Sequence, residues 1–266
     1  MTISPQLYFA ACSFLFGLVF GSFMNVLIAR LPRNQSIAFP PSHCPKCNHT
    51  IRFYHNIPLV SYIMLKGKCY DCGVRISIVY PLVELLTGLI FLAVLLKFGI
   101  SYETLKFTVF AFLLLGAGLT DLFTAFDSDF ECGIIPDTYT LGGTVIGLLF
   151  ALTSVEDFKV AVAGAAVGFL SLWIPAFLYK LLRKREGMGG GDIKLMMMIG
   201  AFIGFVPIYF IFLGSAIIGM LVGIPLVIFK KDKEFMIPYG IFIMFAALFY
   251  LFFESFILRT MGSILY

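Results

Sequence analysis

Long apolar runs alternate with short polar connections along almost the whole chain. The runs fall at 6–29, 80–100, 106–126, 136–153, 159–182, 193–205, 207–229 and 236–258. Residues 193–229 are too many for one crossing and break near Gly204 and Pro207, so they divide into two helices, the first unusually short. A helix needs about 20 apolar residues to cross a bilayer. The pattern therefore predicts an all-α polytopic membrane protein of about eight transmembrane helices. Only one sizeable polar insertion interrupts it. The predicted division is a first transmembrane helix at 1–29, an insertion at 30–79 and a transmembrane core at 80–266. Leu7 to Ala29 carries neither a basic leader nor a small-residue cleavage site, and reads as a retained anchor.

Composition excludes an ordinary soluble domain: 60% of residues are hydrophobic and 13% charged, with a mean hydropathy of +0.99. The net charge of +4 matters less than where the charges lie. Basic residues gather in the insertion, at Arg183–Arg185 and at Lys230, Lys231 and Lys233. With eight crossings these loops, and the acidic connection 121–137, share one side. The positive-inside rule makes that side cytoplasmic and both termini external. No basic face on a folded domain suggests nucleic acid. Neither an internal repeat nor a low-complexity segment is evident, and nothing specifies an oligomeric state.

The insertion carries Cys44-Pro-Lys-Cys47 and Cys69-Tyr-Asp-Cys72-Gly73. Two residues between cysteines let a tight turn aim both sulfurs at one metal, and two such turns complete a tetrahedral thiolate site. About 50 residues bury little core, so a metal staple suits such a module. The alternatives are two disulfides, disfavoured on a cytoplasmic side, or free thiols. Structural zinc on Cys44, Cys47, Cys69 and Cys72 is the expectation, with His43, His49 and His55 as surface or packing residues.

Acids are few, and two stand out. Asp121 follows the apolar stretch 110–119, at the cytoplasmic end of the third helix. Asp192 follows Gly187, Gly189, Gly190 and Gly191, a run too glycine-rich for a helix interior, and opens the apolar stretch 193–205. At matched depth the two can meet. Facing carboxylates share a proton, so one can activate a water while the other protonates a scissile carbonyl. The same acids also fit a proton-coupled transporter with a metal-stapled loop, or plain structural roles such as a helix cap at Asp192.

Taken together, these segments resemble the type IV prepilin leader peptidases, the bifunctional enzymes of type IV pilus and type II secretion systems. The resemblance rests on GSFMNVLIARLP (21–32), HCPKC, FYHNIPLVSY (53–62), CGVRISIVYPLVELLTG (72–88), GMGGGD (187–192) and IPYG (237–240). Each is weak alone; their order and spacing make the combination specific. The glycine run follows a basic helix end and not a strand, which discounts a dinucleotide loop.

By this resemblance Asp192 is the second catalytic aspartate, and the family's first usually precedes an I/L-P-D by eight residues. Here Ile135-Pro136-Asp137 has two candidates before it. Asp129 has the expected spacing but a polar, looped setting. Asp121 has the helical setting but stands 16 residues before Asp137. A catalytic acid needs a desolvated, rigid mount more than a fixed distance to a loop, which favours Asp121. The glycines are expected to leave room for a substrate backbone. The resemblance further implies prepilin or pseudopilin substrates, a bacterial inner-membrane location among lipid with the active site facing the cytoplasm, and methylation of the new N-terminus using S-adenosylmethionine. No strand–glycine-loop–helix unit marks a site for that cofactor. Glu84 is a candidate for the methylation chemistry, or else a partner for Arg75.

Overall fold

The structure, a computed structural model, describes residues 5–185, 187–230 and 238–264. Glu186, the basic residues Lys231 and Lys233, and Ile237 of the IPYG motif lie outside the described residues. The chain forms two compact units, Met1–Thr108 and Val109–Tyr266.

In the first unit, α1 (Pro5–Arg30) runs antiparallel to α3 (Val79–Phe98). Glycine permits the approach. A Cβ at Gly17 would stand 2.7 Å from the Gly88 Cα, and one at Gly21 only 2.6 Å from the Glu84 Cα. Without a hydrophobic drive between helices in lipid, such close backbone contact is a main source of helix association. Between them the insertion folds as irregular chain around a five-residue helix, α2 (Val60–Met64).

The helix α4 (Tyr102–Ala125) begins in the first unit and continues into the second, which also holds α5 (Asp137–Phe150), α6 (Val155–Arg183), α7 (Gly190–Ile203), α8 (Val206–Lys230) and α9 (Gly240–Ile264). Its core is α7, where Leu195, Met196, Met198 and Ile199 are fully buried. Gly164 and Gly168 of α6 press on the α7 backbone at Gly200 and Met196. Gly143 and Gly147 of α5 receive Met198 and Phe202. The α7 helix stops at Gly204, whose φ of +81° favours glycine, and α8 starts two residues on. Outward faces stay apolar, as at Leu170, Trp173 and Phe177 of α6, which suits contact with acyl chains.

All eight expected helices occur among the described residues, yet six are long and apolar enough to cross a membrane. The α5 and α7 helices have 14 residues each. At about 1.5 Å per residue they reach roughly 21 Å, short of a hydrocarbon core of about 30 Å. For α7 the shortness has a visible consequence: it is wrapped by protein, and its N-terminus delivers Asp192 inside the fold.

Candidate active site

Asp121 lies one turn before the end of α4, with 4% of its surface exposed. Its Oδ2 accepts the Gly240 N–H at 2.8 Å, and the Ile241 N–H also reaches the carboxylate. These are the first amides of α9, whose helix dipole favours an anion there. The chain leaving α4 folds back over the acid: the Ile134 N–H donates to Thr124 Oγ1 at 2.8 Å, and Thr124 donates to the Thr120 carbonyl. This return places Gly133 directly against Asp121.

Asp192 is the third residue of α7 and 8% exposed. The cap position is Gly189, with no side-chain capping bond, so Asp192 is not the helix cap. A Cβ at Gly189 would stand 3.3 Å from its Oδ2, while its buried Oδ1 has no hydrogen-bond partner among the described residues. Asp121 and Asp192 lie within electrostatic reach of each other. Ile135 packs against the backbone beside each acid, at Gly191 and Gly240, where a Cβ would crowd it. Tyr239 lies within the field of Asp192 and shares a 2.9 Å hydrogen bond with Ser215 of α8. At the rim, Lys194 Nζ donates to Asp137 Oδ1 at 2.7 Å, tying the start of α7 to that of α5.

Asp129 sits elsewhere in character. It is exposed, in the loop after α4, and its N–H donates to Asp127 Oδ1 at 3.0 Å. The four glycines differ too. Gly187 packs on Tyr179 and Gly191 on Ile135, whereas Gly189 meets only Asp192 and Gly190 faces open space. Thr124 and Gly133 escape a reading of the sequence. The only hint is that a glycine precedes Ile134-Ile135-Pro136, where a chain returning tightly onto a helix has need of one.

Because a Cβ at Gly133 would overlap Asp121 Oδ1 and stand 3.0 Å from its main-chain oxygen, Gly133→Ala must displace the acid. Misplacement by about 1 Å costs on the order of a hundredfold in rate. Turnover at this site is expected to fall by about that factor, and an unchanged rate would show that Asp121 needs no such placement.

The cysteines form a second site. Their four Sγ atoms lie within 4.8 Å of one another, and Cys44 and Cys72 stand 3.8 Å apart, too far for a disulfide. Both turns are built alike: Cys44 and Cys69 each donate their N–H to the residue five positions on, and accept one from the residue four on. Those fourth residues, Asn48 and Gly73, take φ of 56° and 68°. The main-chain N–H groups of Cys47 and Lys46 push the Cys44 thiol down to about 6, towards the thiolate that binds metal. Tetrahedral thiolates at about 2.3 Å from zinc stand roughly 3.8 Å apart, so the donor set fits that ion. None of the three histidines joins the group; the His55 ring meets Tyr54 edge-on and lies tilted against Tyr70. Glu84 accepts the Leu59 N–H at 2.9 Å and a hydrogen bond from Ser22, and the alternative of a pair with Arg75 is not what these bonds show.

Comparison with known proteins agrees with this picture. Residues 15–98 match the bacterial peptidase A24 N-terminal domain, and residues 117–224 match the type IV leader peptidase family. The chain is 41% identical over 217 residues to the prepilin leader peptidase/N-methyltransferase of Myxococcus xanthus, covering 81% of this chain and 62% of that relative. Proteins of the same name from Aeromonas hydrophila (36% over 265 residues, 89% of this chain and 87% of the relative) and Neisseria gonorrhoeae (38% over 233 residues, 78% and 79%) are also similar. No solved structure matches. Six helices of membrane-spanning length around a core that buries two acids define a multi-pass membrane protein. The chain belongs to the type IV leader peptidase family.

Proposed function

We propose that this chain is a membrane-embedded aspartic endopeptidase that removes the basic leader from type IV prepilins or pseudopilins at the cytoplasmic face of the bacterial inner membrane, and then methylates the new N-terminus. Asp121 and Asp192 are its catalytic pair. The observation that carries the reading is two buried carboxylates from different helices within electrostatic reach, one held by main-chain amides and the other with an oxygen that no group among the described residues satisfies. One carboxylate takes a proton from a bound water as that water attacks the scissile carbonyl; the other, protonated, gives its proton to the carbonyl oxygen. The stretch Gly187–Gly191 is the edge along which substrate backbone passes, with Gly189 and Gly190 open to it.

The remaining parts follow. Residues 1–29 serve as the first transmembrane helix, 30–79 as a module folded on structural zinc, and 80–266 as the peptidase core. Cys44, Cys47, Cys69 and Cys72 hold the ion, which closes its coordination with thiolates and takes no part in hydrolysis. S-adenosylmethionine supplies the methyl group, and the buried carboxylate of Glu84 in the first unit is a candidate for that half of the chemistry. Lipid surrounds the apolar outer faces.

A transporter reading of the same acids would need them along a path through the bilayer. The test is purified protein in lipid with a prepilin-like peptide. Cleavage after the basic leader is expected, and its absence alongside proton-driven uptake would favour the transporter. Asp127, Asp129 and Glu131 crowd the loop after α4 and are suited to attract a basic leader. Neutralising all three to Asn or Gln is expected to raise KM about three- to tenfold at low salt, and less at high salt. Measuring KM for leaders of different charge checks this: an equal rise for neutral leaders would count against it.

A further inference from the structure

The first unit holds a buried acid that hydrolysis does not use. Glu84 lies in the second turn of α3, 9% exposed, where the helix presses on Gly21 of α1. An ionisable side chain in an apolar helix marks a function by default. Its Oε2 accepts the Leu59 N–H, and Ser22 also hydrogen-bonds the carboxylate. One turn along α1, Asn25 Nδ2 donates to the Tyr80 carbonyl at 3.1 Å, one turn back along α3. Ser22 and Asn25 therefore face Tyr80 and Glu84 in one polar seam.

The chain over that seam is strained. Leu59 has φ 60° and ψ −48°, and the Val60 N–H reaches back to the Pro58 carbonyl at 2.6 Å. This is a γ-turn of the rare positive-φ kind, centred on a residue with a bulky side chain. Such strain persists only where the surroundings over-determine it, and it gathers at active sites and ligand clamps. Here a charge-assisted hydrogen bond to Glu84 holds it.

The family matches divide the chain in the same sense. Residues 117–224 contain both Asp121 and Asp192; residues 15–98 contain neither, and contain the whole seam. The relatives' name carries a second activity, N-methyl transfer.

We propose that the seam of Glu84, Ser22 and Asn25 beneath the Leu59 turn receives the substrate's newly freed α-amine for methylation. This rests on the function proposed above. The amine arrives as an ammonium, which the Glu84 carboxylate attracts and from which it takes one proton. The freed nitrogen lone pair attacks the methyl carbon of a sulfonium donor. The carbon–sulfur bond breaks with its electron pair left on sulfur, giving a neutral thioether and a methylated ammonium, and Glu84 later yields its proton to water.

The test uses full-length protein in lipid with no methyl donor present, and compares binding of a mature-pilin peptide with its N-acetylated form. Wild type is expected to prefer the free amine by about tenfold or more, since a hydrogen bond to a charged group is lost on acetylation. Glu84→Asp keeps the charge and keeps a preference. Glu84→Gln keeps the shape and binds both peptides alike; in a parallel sample given the sulfonium donor it releases cleaved but unmethylated product where wild type methylates. Any other pattern, including no preference in wild type, overturns the assignment. Leader cleavage on the same wild-type sample is scored separately, so failure of the peptidase reading shows there and nowhere else.

Discussion

Asp121→Asn and Asp192→Asn are each expected to lower the single-turnover cleavage rate by at least about 10³-fold, with the double variant little worse than either. The amide keeps the shape of the acid but neither accepts the water's proton nor donates one to the carbonyl oxygen. Residues that act as a unit lose their joint effect when one is removed, which is why the effects should not add. Stability should move the other way or not at all. A buried carboxylate carries a desolvation cost that an amide escapes. Asp121→Asn keeps an acceptor for the Gly240 N–H, so the hydrogen bond at 2.8 Å survives. Asp129→Asn, in the exposed loop, is expected to stay within about threefold of wild type on leaders of low charge. A dead Asp129→Asn beside an active Asp121→Asn would move the role to Asp129 and sink the pairing argued here.

The choice between those two acids shows what a sequence carries and what it does not. Helix positions follow from apolar runs, because the bilayer demands backbone satisfaction within each segment, and all eight runs became helices. The paired cysteines announce their own geometry, since two intervening residues constrain the turn. The setting of Asp121 is legible as well: an acid at the end of an apolar helix is costly unless used. Its fixation is not. The Gly240 and Ile241 amides lie about 120 residues downstream, and only the packing of α9 brings them to it. Gly133 and Thr124 act through a loop whose path depends on that same packing. The short α7 read as a crossing because apolar composition cannot separate a lipid-facing helix from one wrapped by protein. Its shortness, noted in the sequence, has meaning only beside α5 and α6. The strained turn at Leu59 is invisible for the same reason, as its partner Glu84 comes from another helix.

Stripping zinc, or replacing Cys69 and Cys72 together with Ser, is expected to unfold residues 43–76 while leaving the transmembrane helices intact. The module contains little else to hold it. Its one α-helix has five residues, its isolated bridges pair only His43 with Thr50 and Lys68 with Arg75, and Phe39, Phe53, Ile63 and Met64 stay largely exposed. Structural zinc bound by peptides of this size contributes about 10–16 kcal/mol of apparent folding free energy near neutral pH. That is as large as the total stability of most small domains, about 5–15 kcal/mol. Loss of the ion should therefore open the segment entirely and not merely loosen it. Limited proteolysis is the measurement: rapid cuts within 43–76, one zinc per chain lost by metal analysis, and circular dichroism that keeps its helical signal. Cleavage of the leader peptide should persist at a reduced rate if the acids work from the helical core alone, whereas N-methylation should vanish, because Leu59 and the Glu84 seam sit at the module's edge. A module that resists protease without metal would show that packing, not zinc, holds it.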